Sequence, residues 1–248
     1  MSKRIDIFIK SYSKDFWMLQ IALKTIARNV TGYNNIILII PEHEAELFDT
    51  RNMPERTLIY YVREEGPGWL FQQWCKINAA TYSKADYILF GDSDCFFDHK
   101  IDLQEFVADD KPEILYTDWL KVADAIVWKK PTEELMGESV EWEFMRRNCC
   151  LYHRETLVNI NKWKPDLKNI IINSEKFSEF NLMGAYAFKF EREKYNFVNT
   201  DNWTYVEPKA IQVWSHGRKD TDSVLHLKEY IRTLESIMKC FDVPVPNQ

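Results

Sequence analysis

Asp92 and Asp94 are the residues of this 248-residue chain whose type and spacing point most directly to chemistry. They stand two apart at the end of an apolar run, and in extended backbone residues i and i+2 face the same side. Two carboxylates held within a few ångströms repel each other unless a cation sits with them. Hard oxygen donors suit Mn²⁺ or Mg²⁺, and such an ion neutralises a diphosphate as it leaves. The alternative reading is a plain turn, because Asp and Ser after a strand also bend loops.

The elements that must position this pair read as an alternation of strands and helices. Ile5 to Ile9 is a short apolar run, and Trp17 to Val30 has the three-and-four spacing of a helix, closed by Thr31-Gly32. Ile36 to Ile40 is apolar throughout, as a parallel strand covered on both faces must be. Glu42 to Phe48 reads as a helix and Leu58 to Val62 as a strand. After the Gly66-Pro67-Gly68 loop, Trp69 to Tyr82 reads as a helix carrying Gln72, Gln73 and Lys76, and Tyr87 to Phe90 as a strand running into Gly91-Asp92-Ser93-Asp94. The expected fold is α/β, a Rossmann-type, mostly parallel central sheet flanked by helices, in a single domain over residues 1–248. Ligand crevices of such sheets lie at the carboxyl ends of the strands, where the acidic pair falls. Farther on, Ile114 to Thr117 and Asn148 to Tyr152 read as strands, and Val140 to Arg147 and Glu175 to Tyr186 as helices. A last helix is expected from Thr221 to Cys240, on the apolar stripe Leu225, Leu227, Ile231, Leu234, Met238.

Composition narrows the function classes. A net charge of −6 argues against a surface that is basic all over, although cations cluster at Lys121 to Lys130, Arg146 to Arg154 and Lys162 to Lys168. The five cysteines include the adjacent pair Cys149-Cys150 and no Cys-x-x-Cys, so neither a disulfide framework nor a zinc knot is expected. No stretch reads as a leader, and none approaches the ~20 apolar residues of a membrane span, so a soluble, cytoplasmic protein is expected. Trp119, Trp142, Tyr186 and Trp203 are candidates for an aromatic platform in an acceptor site.

Three stretches carry a resemblance to a known family. Ala85 to Asp94 looks like the apolar strand and Asp-x-Asp of GT-A-fold glycosyltransferases. Gly68-Trp69-Leu70-Phe71-Gln72-Gln73-Trp74-Cys75-Lys76 is similar to the helix that precedes that strand in a bacterial and phage branch of the fold, and Asp6 to Asp15 resembles that branch's first strand and nucleotide loop. Weaker echoes stand at Ser178-Glu179-Phe180 and Trp214-Ser215-His216-Gly217. The resemblance implies a nucleotide-sugar-binding half over residues 1–100 and an acceptor-binding half over 101–248. It implies Asp92, Asp94 and His216 as ligands of Mn²⁺ (or Mg²⁺). Lys10, Ser11, Tyr12, Asp15, Trp69, Gln73, Lys76 and Ser93, together with Asp92, would hold the donor, in the first instance a UDP-sugar, and Arg218 and Lys219 would grip its diphosphate. Glu179 takes the place of the general base, with Asp118 its competitor. The acceptor would be a glycan or, if the chain is of phage origin and works in a host cytoplasm, a hydroxymethylated DNA base flipped from its duplex. A nucleotidyltransferase and a non-catalytic nucleotide-sugar binder are the competing functions.

Overall fold

The computed structural model describes residues 3–51, 53–206 and 209–212. The C-terminal helix expected from Thr221, and the residues His216, Arg218 and Lys219, lie outside them. The core is a five-stranded sheet made of β1 (Ile5–Lys10), β2 (Ile36–Pro41), β3 (Thr57–Val62), β4 (Tyr87–Asp92) and β6 (Leu151–His153). Its order is β3-β2-β1-β4-β6, parallel except for β6, which runs antiparallel to β4. This is a single α/β domain with a mostly parallel sheet flanked by helices.

The uniformly apolar strands follow from two covered faces. Ile5, Ile7, Ile9, Ile36, Leu38, Ile40, Tyr87 and Leu89 pack with Leu19, Leu23 and Ile26 of α1 (Phe16–Asn29). The alternate residues Phe8, Ile37, Ile39, Ile88 and Phe90 meet α2 (Gly68–Ile77) through Leu70, Phe71 and Cys75. The same face carries α4 (Arg154–Trp163) and α6 (Glu179–Phe190). The side-chain period of two thus sorts one strand between two cores. Asp6 breaks the apolar run of β1 yet is buried. Its carboxylate accepts from the backbone and side chain of Asn35, the side chain of Asn34 and the Ser83 hydroxyl, so it ties loops together at the end of the sheet away from the acidic pair.

The second half builds a smaller sheet on β5 (Lys111–Asp118), which pairs antiparallel with Trp142–Glu143 and in parallel with β7 (Asn196–Asn199). Val140 to Arg147 is therefore not a helix. Its apolar residues alternate, and Trp142 and Glu143 are claimed by the edge of β5. The Glu42 to Phe48 segment is a 3-10 turn, Glu42–Leu47, and Trp69 to Tyr82 divides into α2 and a 3-10 turn at Ala79–Thr81. Helices α3 (Lys129–Met136), α4 and α5 (Leu167–Ile172) are not among the expected elements; none is longer than 10 residues, too short to show a clear apolar period.

Gly184 sits mid-helix in α6, where a Cβ would lie 2.3 Å from the Cβ of Phe144. That neighbour is next to its own backbone and cannot rotate away. Gly184→Ala is expected to destabilise the fold by about 1–3 kcal/mol, the usual cost of forcing extra volume into a packed contact. A urea unfolding midpoint unchanged from wild type would contradict this close approach.

Candidate functional site

In the order β3-β2-β1-β4, successive strands step one way from β1 and then the other way to β4, so the topological switch point lies between β1 and β4. Their last residues, Lys10 and Asp92, are register partners. Crevices outside the carboxyl ends of strands at such a point are where open α/β sheets bind ligands. A cleft of about 480 Å³ opens here. Tyr12, Asp15, Trp69, Gln73, Lys76, Asp92, Ser93, Asp94 and Glu179 all line it, which brings most of the sequence-derived site into one cavity.

Helix α2 supplies one wall. Gln72 and Lys76, one helical turn apart, reach the same carboxylate oxygen: Gln72 Nε2 donates to Asp92 Oδ1 at 3.0 Å and Lys76 Nζ at 2.8 Å. Lys76 Nζ also donates to Glu179 Oε1 at 2.9 Å and lies 4.8 Å from the centre of the Phe180 ring. Glu179 enters at the first turn of α6, capped by Ser178, and its backbone N–H donates to Gln73 Oε1 at 3.1 Å. The Lys76 side chain is only 3% exposed. Burial opposes its charge, but the Asp92 and Glu179 carboxylates outweigh that and push its pKa up.

Asp94 is in the opposite condition. Among the described residues it accepts from Gln212 Nε2 at 3.4 Å and from the Cys95 thiol at 3.9 Å, and burial, then the Asp92 charge, pushes its carboxyl up to about 6. Oxygens of Asp92 and Asp94 and the Cys95 sulfur all lie within 4.8 Å of one another. The thiol is a poor candidate ligand, since its hydrogen bond with Cys149 and its burial hold it well above the ordinary thiol pKa. The two carboxylates fit a hard cation better. Oδ1 of Asp92 is taken by Lys76 and Gln72, and among the described residues its second oxygen has no hydrogen bond and Asp94 has no cationic hydrogen-bond partner.

Several expected site residues stand elsewhere. Lys10 is buried under the floor, 3.4 Å from Glu64 Oε1. Ser11 is buried beside it, its hydroxyl without a hydrogen bond among the described residues. Asp118 closes β5, accepts from the Leu120 N–H and caps the following 3-10 turn; it does not line the cleft. The four aromatics proposed as a platform are not its lining either. Trp119 is core and donates to the Val140 carbonyl, Trp142 packs on Tyr116, Tyr186 packs on Trp163 and Phe190, and Trp203 lies exposed away from the cleft. The aromatic lining is instead Tyr12, Trp69, Phe90, Trp128, Phe177 and Phe180, with Trp69 46% exposed. Arg146, Arg147 and Asn148 also line it; the basic run they belong to is visible in the sequence, but its position over the cleft depends on β6 pairing with β4.

Residues 4–223 match the model of a family described as a family of unknown function (DUF6492). The chain belongs to that family. The DUF6492 match takes in the whole five-stranded sheet, the Asp-x-Asp turn and Glu179, so the cleft lies within the matched region. It also spans His216, Arg218 and Lys219. No curated protein matches the chain. Among the described residues, no helix is long and apolar enough to cross a membrane.

Proposed function

We propose that the chain is a metal-dependent glycosyltransferase with a GT-A-like donor half, moving a sugar from a nucleoside-diphosphate sugar to an acceptor hydroxyl. One observation carries this reading: Asp92 and Asp94 stand together at the switch point of the sheet, in a cleft large enough for a small ligand, with Asp94 lacking a cationic hydrogen-bond partner among the described residues. Asp94 and the second oxygen of Asp92 would hold Mn²⁺ or Mg²⁺. When bound, that ion supplies Lewis-acid neutralisation of the departing diphosphate. Tyr12 and Trp69 offer aromatic faces to the donor's base or sugar. Lys76 fixes Glu179 beside Asp92, leaving the second Glu179 oxygen to take the acceptor hydroxyl's proton.

The test is a thermal-shift panel of UDP-, GDP-, CMP- and ADP-sugars with and without Mn²⁺, followed by an assay for released nucleotide. A ligand that binds the native state raises the melting temperature by mass action, so one sugar nucleotide is expected to stabilise the protein only when Mn²⁺ is present. No response to any member of the panel would overturn the proposal. Stabilisation without nucleotide release, even with glycans or hydroxymethylated DNA added, would make the chain a nucleotide-sugar binder instead. Trp69→Ala is expected to weaken the responsive donor about tenfold, the scale of one lost stacking contact, with little change in the melting temperature of the free protein because the ring is half exposed.

A further inference from the structure

Behind the cleft, between β6 and the smaller sheet, lies a second cavity of about 140 Å³. Arg146, Arg147 and Cys149 line both spaces, so the two are neighbours through a wall of guanidinium groups. Lys111 and Lys209 also line the smaller one, Lys209 Nζ lying 5.0 Å from the centre of the Phe106 ring, with Glu105 and Glu113 as its acids. Arg147 is already matched, its Nη2 donating to Glu113 Oε1 at 2.7 Å. Arg146 is held more loosely: its Nη1 pairs with Glu143 Oε2 only at 3.9 Å, and among the described residues neither that oxygen nor the buried Nε of Arg146 has a hydrogen bond. An ion pair at that distance is too long for a hydrogen bond, so it does not use up the Nη donors of Arg146 as the 2.7 Å bond uses that of Arg147.

We infer that this cavity is a phosphoryl-binding site with Arg146 as its anchor. The lining sets Arg146, Arg147, Lys111 and Lys209 against Glu105 and Glu113, and Glu143 offsets Arg146 from outside the lining, so one positive charge remains in excess to match a phosphate anion. The planar fork of a guanidinium suits the oxygens of a phosphoryl group, and the two Nη groups of Arg146 are the donors that can engage them. At about 140 Å³ the cavity exceeds the roughly 30 Å³ share of one water several-fold, enough for a tetrahedral anion. On the function proposed above, the group held here belongs to the acceptor, an alcohol carrying a phosphate, since the donor diphosphate belongs to the Asp92–Asp94 side. The cavity itself does not depend on that reading.

Titration of the full chain with inorganic phosphate in EDTA, followed by calorimetry and by the Arg Nε–Hε NMR resonances, tests the site. Saturable binding is expected, with one Arg Nε–Hε resonance shifting that is missing from Arg146→Lys. Arg146→Met is expected to weaken phosphate about tenfold or more, Arg146→Lys less, and Lys111→Met with Lys209→Met to lower it further. Asp94→Asn is expected to bind phosphate as wild type does. Absence of saturable binding, full affinity in Arg146→Met, or binding that EDTA abolishes would each overturn the assignment. Failure of every sugar nucleotide to bind, with phosphate still held at Arg146, would sink the transferase proposal and leave this site standing.

Discussion

Asp94→Asn is expected to abolish Mn²⁺-dependent turnover, by about a thousandfold or more, while leaving the metal-free protein at least as stable as wild type. The two halves of this expectation have one cause. Asp94 is a partly buried carboxylate whose charge is opposed by burial and by Asp92, and whose nearest hydrogen-bond partner among the described residues is an amide at 3.4 Å. An amide of the same shape removes a charge that the fold tolerates poorly, so the melting temperature in EDTA should hold or rise. The same replacement removes an anionic ligand from a two-carboxylate site, and the several kcal/mol that a Lewis acid contributes to a departing diphosphate correspond to a thousandfold or more in rate. The readout is paired: nucleotide release with the donor found in the thermal-shift panel, and melting with and without Mn²⁺. A variant that loses stability in EDTA would show Asp94 to be a structural residue, and one that turns over normally would dispose of the metal site.

What could be read from residues alone divides at about position 100. The first half was legible because it obeys two periods at once: strands apolar on both faces, and helices with one apolar stripe, as in β1, β2, α1 and α2. The acidic pair was legible because its place at the end of β4 follows from that alternation. The role of Lys76 was not, since sequence gives the helix face but not which carboxylate will lie opposite it; a lysine expected to face the donor is spent between Asp92 and Glu179. The second half carries little period. Its chain runs through two-residue strands and 3-10 turns such as Trp119–Lys121 and Ala123–Trp128, too short to show a repeat. Aromatic residues there gave no sign of whether they were core or lining, and Trp119, the most buried of those proposed, went to the core while Trp128 reached the cleft. Trp142 and Glu143 read as helix because their pairing partner, β5, is distant in sequence.

Lys76→Met is expected to cost about 3 kcal/mol of stability, and Lys76→Met combined with Glu179→Gln to cost less than the single change. Lys76 donates to two carboxylates, at 2.8 and 2.9 Å, in a site where Glu179 is 9% and Asp92 25% exposed. Removing one member of a buried ionic group usually costs 3–5 kcal/mol, because the partners keep their charge without compensation. The lower end applies here, since the quarter exposure of Asp92 lets water screen part of the repulsion. Methionine keeps most of the stem's volume and its contact with the Phe180 ring, so packing loss is a small part of the effect. Turning Glu179 into an amide then removes one of the two stranded charges, so the second substitution should restore stability rather than lower it further. That reversal separates electrostatic coupling from simple disruption, in which the two costs would add. Chemical denaturation of wild type, both single variants and the double variant closes the cycle. If the double variant is less stable than Lys76→Met, the ion pair at 2.9 Å is not what holds Glu179 against Asp92, and the arrangement proposed for the acceptor-side base loses its support.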